Sequence, residues 1–446
     1  MWKVDNLAFS KYTVSIKINF AACRDGRGKN LLQLSFLNFK KGSYISIEGK
    51  SDTDHFYIIQ SGKVQVVKED EVVAEEGGNI MGPGDFLGVI SCMSGHNQIE
   101  TAVALTDALL ISVPYGQFPQ LIEKNTPVAM KIIYSFSKKM RYLDEALTRI
   151  TLKKNVVTNI SHLFTIGEYY LRMSKFDLAL YAYYHYLKTQ PKGPFAPAAQ
   201  KRFMAIKAMG IKIPIEVLEP KTDQMIRIYE KEAMVFCECQ LGTELYIIQK
   251  GHVKITKILD NSEVLLAVLK EGDMFGEMAL LENKPRSASA IVTEEGCQLL
   301  AVNRQNFNQM VSTQPQLIAR LTTTFADRIW AMYKQLANTL IKDPVEKMYD
   351  MLAIQLEKLR IKPVKNKPHT FNFGPIELAN MCGIAKENVS EAVTNFLKQP
   401  IVRCDGTKIS ITDELELSKQ AAYFKKMQEI EKSRMNARAK NGTYWA

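Results

Sequence analysis

Hydrophobic and polar positions change their period several times along this chain, and each change marks a segment. At Leu245–Ile248 and Val253–Ile258 apolar and polar residues alternate, with Lys250-Gly251 between them. Alternation of that kind predicts two strands joined by a turn. Leu299–Val302 reads as a further strand. Earlier in the chain Leu31–Val113 is also β-rich. Strands are expected at Gly42–Ile45, His55–Gln60 and Lys63–Lys68, with a turn at Ser61-Gly62. Two long stretches then switch to helical period. Pro127–Ile150 is one. Pro315–Ile341 is the other, with Leu321, Phe325, Ile329, Met332, Leu336 and Leu340 on one face.

Comparison of the two β-rich regions shows a repeat. His55–Gly62 parallels Thr243–Gly251, Gly84–Gly88 parallels Gly272–Gly276, and Leu110–Phe118 parallels Leu299–Phe307. The period is about 190 residues, so the first β region reads as a duplicate of the second. Between them, Val156–Gly210 is aromatic and Ala-rich without alternation, and a helical hairpin is expected. Lys212–Lys221, with Pro214 and Pro220, reads as a linker. Beyond the second long helix, Asp343–Arg360 is amphipathic and Lys362–Pro368 is a basic linker. Ile376–Met381, the Cys382-Gly383 turn and Ala385–Leu397 have helix-turn-helix spacing. Ile401–Ile411 around Asp405-Gly406 reads as a two-stranded wing. Met1–Asn30 fits none of these patterns and reads as a short extension.

Composition narrows the picture a little. A chain of 446 residues is long enough for about two to four domains. A net charge of +11 permits contact with nucleic acid or an acidic membrane without requiring it. The seven cysteines are scattered, and Cys237-x-Cys239 lacks the second pair or nearby histidines of a zinc site. Scattered thiols suit a reducing, cytoplasmic setting. No apolar run reaches membrane-spanning length, and no signal peptide is expected at the start. There is no nucleophile–base set, metal motif or Walker loop, so the chain reads as a non-enzyme without cofactors.

The chemistry concentrates in Gly272–Ala290, GDMFGEMALLENKPRSASA. One acid and one base, Glu277 and Arg286, lie nine residues apart in a helical scrap between strands. Gly276 lets backbone approach a ligand, and the turn Glu277–Leu281 offers N–H groups to an oxyanion. Arg286 offers a planar fork that fits two phosphate oxygens, which a lysine would not match. Ser287 adds a hydroxyl, and Glu277 can accept from a sugar hydroxyl. The alternative is a surface Arg–Glu pair in an ordinary loop.

Phe275-Gly276-Glu277, Ala279-Leu280-Leu281 and then Pro285-Arg286-Ser287-Ala288 resemble the phosphate-binding cassette of cyclic nucleotide-binding domains. These occur in the catabolite activator/FNR family, in kinase regulatory subunits and in gated channels. The resemblance implies a β-roll followed by a long helix, with cyclic AMP or cyclic GMP held in the roll. It carries over Gly276 (backbone), Glu277 (ribose 2′-hydroxyl), Arg286 (cyclic phosphate) and Ser287 (phosphate), with Phe275, Met278, Ala279 and Ala288 beside them. In activator-type relatives the long helix closes over the base and forms a homodimer seam. That places Trp330, Met332 and Tyr333 at the base, although the polar pair often used for adenine is absent. Core packing or dimerisation alone is the other account of that helix.

The first copy lacks the charged residues. Val89 stands for Glu277, and Gln98, or Asn97 after a one-residue shift, stands for Arg286. The reading is a roll that packs or signals; a neutral ligand is its rival. His55 and His96 read as strand or loop residues. Leu163, Ile166-Gly167, Tyr170, Ala179, Tyr183 and Pro191 resemble one tetratricopeptide repeat, either a docked hairpin or a groove for a protein partner. The C-terminal pattern resembles the family's winged helix. It implies Lys386, Glu387, Asn388, Ser390 and Lys408 at double-stranded DNA. Yet Thr370–Asp413 holds four positive against five negative side chains, unusual where phosphates dominate affinity. Positive charge gathers instead in the tail, at Lys419, Lys425, Lys426, Lys432, Arg434, Arg438 and Lys440. These either supply phosphate contacts or form a solvated helical face.

The expected fold is thus an α+β multidomain chain: a degenerate jelly-roll-like β-roll plus helix (31–150), a tetratricopeptide-like helical insert (151–211), a cyclic nucleotide-binding roll plus long helix (221–341), a winged helix-turn-helix (343–415) and a basic helical tail (416–446). The expected function is a cytoplasmic cyclic AMP receptor that regulates transcription. A cyclic nucleotide-responsive scaffold for protein partners is the second hypothesis.

Overall fold

The computed structural model describes residues 15–16, 34–68, 79–152, 159–221, 224–259, 262–405 and 408–442. Most of the unexplained stretch Met1–Asn30 and the Gly406 turn therefore lie outside the described residues, as do the side chains of Lys386, Lys432, Arg434, Arg438 and Lys440.

Both β regions form rolls of two antiparallel sheets with the same strand order. In the second, one sheet runs Ile226–Tyr229, Cys297–Asn303, Glu244–Lys250, Met274–Phe275. The other runs Met234–Phe236, Ser289–Val292, Val253–Leu259, Ser262–Leu269. In the first, the matching orders are Ser35–Phe39, Ala108–Pro114, His55–Ser61, Phe86–Leu87 and Tyr44–Ser46, Thr101–Ala104, Val64–Val67, Ile80–Met81. Alternation puts one face of each strand inside, and Ile45, Ile59, Val64, Leu87 and Leu110 fill the first core. The first roll carries one strand the sequence pattern did not reveal, Ser15–Ile16, paired to Phe36 and Leu37.

The backbone repeats as well as the topology. Left-handed positions coincide at Gly62 and Gly251 (both φ 94), at Gly88 and Gly276 (φ 70 and 77) and at Gly42 and Glu232 (φ 85 and 65). Each roll also has a register shift at the same place, Ile59/Ser61 and Ile248/Lys250.

The two long helices run from Thr126 to Leu152 and from Pro315 to Asn338. Proline suits a helix's first turn because its missing N–H is not needed there. Ala129, Ile132, Ile133, Phe136, Met140 and Leu143 make the buried stripe of the first. The chain divides into two compact units, and the helices cross the division. Among the described residues, one unit holds the first roll up to Gln117, the end of the first long helix from Leu143, and everything from Thr323 onward. The other holds Phe118–Tyr142 and the second roll through Thr322, with the helical insert. Each unit therefore joins one roll to part of the long helix that follows the other.

The insert has three helices, not the expected hairpin: His162–Arg172, Phe176–Thr189 and Ala196–Ala208. Pro191 and Pro194 stop the second, and Pro197 stands in the first turn of the third. Gly167 sits where a Cβ would come within 2.5 Å of the Tyr183 ring, so the two helices touch through it. The linker at Lys212–Lys221 contains a short helix, Ile215–Leu218, whose Leu218 is buried with the insert's core.

In the C-terminal region, Asp343 caps the helix Pro344–Lys358 by accepting from Val345 and Glu346 N–H at 2.8 and 2.9 Å. Helices Pro375–Met381 and Lys386–Leu397 follow. Strands Val402–Asp405 and Lys408–Ile411 pair, and His369–Thr370 adds a third strand beyond the two expected. Met348, Tyr349, Leu352, Leu378, Phe396, Ile409 and Leu417 close a common core. The last helix, Glu414–Gly442, starts inside that core through Leu417.

Candidate functional site

Gly276 ends a strand in the left-handed region, and the chain turns at once into the short helix Glu277–Glu282. Arg286 follows on a segment held in register: its N–H donates to the Gln240 carbonyl, and Cys239 N–H donates to its own carbonyl, both at 2.9 Å. The side chain then turns into the roll and is only 5% exposed. Nη1 donates to the Gly276 carbonyl at 2.6 Å. The guanidinium carbon lies 4.1 Å from the Phe236 ring centroid and 5.8 Å from that of Tyr246, within reach of a cation–π contact. Nε is buried without a hydrogen-bond partner.

Two glycines make room for this group. A Cβ on Gly276 would stand 2.6 Å from Nη1, and one on Gly242 would overlap Nε. Burial holds the Arg286 guanidinium below its ordinary pKa, against the opposing pull of Tyr246, Tyr181, Glu244 and Glu277. Glu277 is 1% exposed. The surface-loop alternative is thereby excluded. A buried cation with an unused N–H and incomplete compensation has the chemistry to take an anion.

Around it, Phe275 is stacked on Tyr246, centroids 5.4 Å apart, and lies 5.7 Å from Phe236. Ala279 and Ala288 are buried, and Met278 and Ser287 half-buried. Sequence reasoning missed Phe236, Gly242 and Tyr246, which lie on strands or turns with no local motif. Behind Tyr246, Glu244 accepts both Nη groups of Arg227, at 2.7 and 2.8 Å.

Trp330 is fully buried and stacks on His96 of the first roll, centroids 3.8 Å apart and planes 13° apart. Tyr333 accepts from Lys68 Nζ at 2.9 Å, again on the first roll. Met332, half-buried, lies between them on the same helix. Trp330, Met332 and Tyr333 belong to the same unit as the first roll. His96 is a loop residue, as expected, and its ring is packed. The helix that does reach the second roll's cassette is Thr126–Leu152. Ser137 and Arg141, one turn apart on it, both donate to Glu282, at 3.0 and 3.1 Å. Two polar residues beside an apolar stripe were the available signal.

In the first roll, Gln98 takes the place of Arg286. Its N–H donates to Lys50 and its carbonyl accepts from Gly49, both at 2.8 Å, repeating the Gln240 and Cys239 contacts. Its amide lies over Gly88 as Arg286 lies over Gly276. Asn97 is thereby set aside. Gln98 Nε2 donates to the Asp52 carbonyl at 2.5 Å, and Val89 is buried where Glu277 would be. At the end of the first roll's short helix, the Ser94 carbonyl accepts from Arg360 at 2.6 Å.

On the helix Lys386–Leu397, Glu387, Asn388 and Ser390 are exposed, as is Lys408 on the strand pair, 3.4 Å from the Asn372 side-chain oxygen. Among the described residues no cluster of three or more His, Cys, Asp or Glu could hold a metal ion, and no helix is long and apolar enough to cross a membrane.

Residues 36–125 and 226–314 each match the family model of the cyclic nucleotide-binding domain. The matched stretches are the two rolls. Over 188 residues it is 26% identical to the CRP-like cAMP-activated global transcriptional regulator of Mycobacterium tuberculosis, covering 42% of this chain and 84% of that protein. It is 28% identical to the cyclic AMP receptor protein of Thermus thermophilus over 40% of this chain and 79% of the relative. Rap guanine nucleotide exchange factor 3 of Homo sapiens matches at 37%, but over 18% of this chain and 8% of its own. Among solved structures, the Thermus thermophilus catabolite activator protein is 24% identical, covering 45% of this chain and 90% of that one, with a TM-score of 0.25.

Proposed function

We propose that the chain is a cyclic AMP receptor that regulates transcription and binds its ligand in the second roll. The observation that carries this is Arg286, a buried guanidinium with an unpartnered Nε. In this reading Arg286 and Ser287 take the cyclic phosphate, Glu277 the ribose 2′-hydroxyl, and Gly276 the close backbone approach. Phe275, Met278, Ala279 and Ala288 shape the wall. The first roll, with Gln98 and Val89, takes no cyclic nucleotide. The named activity of the CRP-like relatives favours cyclic AMP over cyclic GMP.

The output would be DNA binding through a winged helix at 343–415, with Lys386, Glu387, Asn388 and Ser390 toward bases and Lys408 on the wing. The tail from 416 would add phosphate contacts. The insert would be a tetratricopeptide-like docking element that braces the second roll. Ligand acts by favouring one arrangement of roll and long helix over another. Calorimetry with cyclic AMP and cyclic GMP tests the input, and one site per chain is expected. Two equal sites would reject the reading of Gln98 and Val89. A gel-shift series tests the output: affinity for duplex should fall steeply with salt. Absence of any complex, with and without nucleotide, would point to a protein-binding output.

A further inference from the structure

Glu282 closes the short helix that begins at Glu277, four residues before Arg286. Its side chain is 2% exposed. Three donors hold its carboxylate: Ser137 Oγ at 3.0 Å, Arg141 Nε at 3.1 Å and Lys284 Nζ at 3.5 Å. Arg141 also donates from Nη1 to the Pro285 carbonyl at 3.3 Å. One guanidinium therefore spans the loop Asn283–Pro285, gripping it at both ends. The loop begins with Asn283 in the left-handed region, at φ 55, as the C-cap of the short helix.

The repeat supplies an internal control. With the offset that relates Gly88 to Gly276 and Pro127 to Pro315, Ser137 and Arg141 correspond to Phe325 and Ile329, and Glu282 corresponds to Ser94. The Ser–Arg–Glu combination thus belongs to the copy with the charged cassette, while at the corresponding place in the first roll Arg360 donates to the Ser94 carbonyl at 2.6 Å and His96 Nε2 lies 3.4 Å from Asp327. Arg141 and Glu282 are both buried, and burying such a pair is favourable only with good geometry and further hydrogen bonds. Ser137 and the Pro285 carbonyl provide two of them, and Arg141 Nη2 stays buried without a partner.

We propose that Arg141 is the positioning residue for the Arg286 loop. The helix after the first roll is then a working part of the second roll's nucleotide site, and the ligand-free roll contributes to binding by supplying it. A shift of the loop on phosphate capture would move Arg141 and its helix. This rests on the nucleotide reading above for its ligand, but its structural half is testable without one.

The experiment uses the full chain with Arg141→Met, which keeps an apolar stem without the fork, Arg141→Lys, and the milder Ser137→Ala. Hydrogen exchange without nucleotide reads the loop, and calorimetry reads cyclic AMP affinity. Arg141→Met should speed exchange of the Arg286 amide, which donates to the Gln240 carbonyl, by about tenfold or more while the helix 126–142 stays protected. It should weaken cyclic AMP by about tenfold. Arg141→Lys should restore part of both, since an ammonium can pair with Glu282 but lacks the fork that reaches Pro285. Ser137→Ala should shift both the same way by a smaller factor, which keeps the test open if Arg141→Met does not fold. Wild-type loop exchange in Arg141→Met overturns the proposal. So does a faster loop with unchanged nucleotide affinity. If wild type binds no cyclic nucleotide while Arg141→Met loosens the loop, the positioning role stands and the receptor reading falls.

Discussion

At the scale of single residues, charge burial decides what the second roll can do. Arg286 has left water for a pocket of aromatic rings and backbone, and it retains an unsatisfied donor. Arg286→Ala should therefore abolish measurable cyclic AMP binding, a loss of about 100-fold or more. Isothermal calorimetry checks affinity, and circular dichroism should show an unchanged fold. Glu232 makes a different point. It holds φ 65 where the first roll has Gly42 at φ 85. The left-handed conformation strains a residue with a Cβ. Glu232→Gly should stabilise the chain by about 0.5–1 kcal/mol, read as a higher melting temperature.

At the scale of elements, period carried most of the information. Strands around Gly62 and Gly251, both long helices and the paired C-terminal helices could be read because one buried face imposes a repeat of two or of about 3.6 residues. The acid–base pair of the cassette was legible for a similar reason, since Gly276, Glu277 and Arg286 lie within one short segment. What was not legible depends on distant contacts. A stripe such as Ala129–Ile132–Phe136 says that a helix is buried, not against which roll. That Trp330 stacks on His96 and that Arg141 reaches Glu282 could therefore not be read from the sequence. Phe236, Gly242 and Tyr246 matter because the fold folds Arg286 onto them.

The insert allows a prediction about acidity. His185 is buried, and burial, aided by nearby Lys188, lowers its pKa from 6.5 to about 4. The unfolded chain takes up this proton first as pH drops. The stabilisation is thus complete above the ordinary value and is lost as pH falls toward about 4, at no more than about 1.4 kcal/mol per pH unit. Thermal melts from pH 7 to 4.5 should fall less steeply for His185→Leu than for wild type.

At the scale of the whole molecule, the duplication has produced two unlike copies. One keeps the charged cassette; the other has Gln98 and Val89 there and buries Trp330 against His96. Calorimetric stoichiometry near one nucleotide per chain is the expected sign of that asymmetry. Removing residues 1–117 should leave the second roll's cassette intact in sequence, but the retained helix 126–142 would lose the roll that precedes it.

The helix shared between rolls has one more consequence. Arg141 and Glu282 lie on a single polypeptide, so dilution cannot part them, and their effective concentration is set by the intervening chain. In the receptor reading proposed above, nucleotide isotherms recorded from nanomolar to micromolar protein should superimpose.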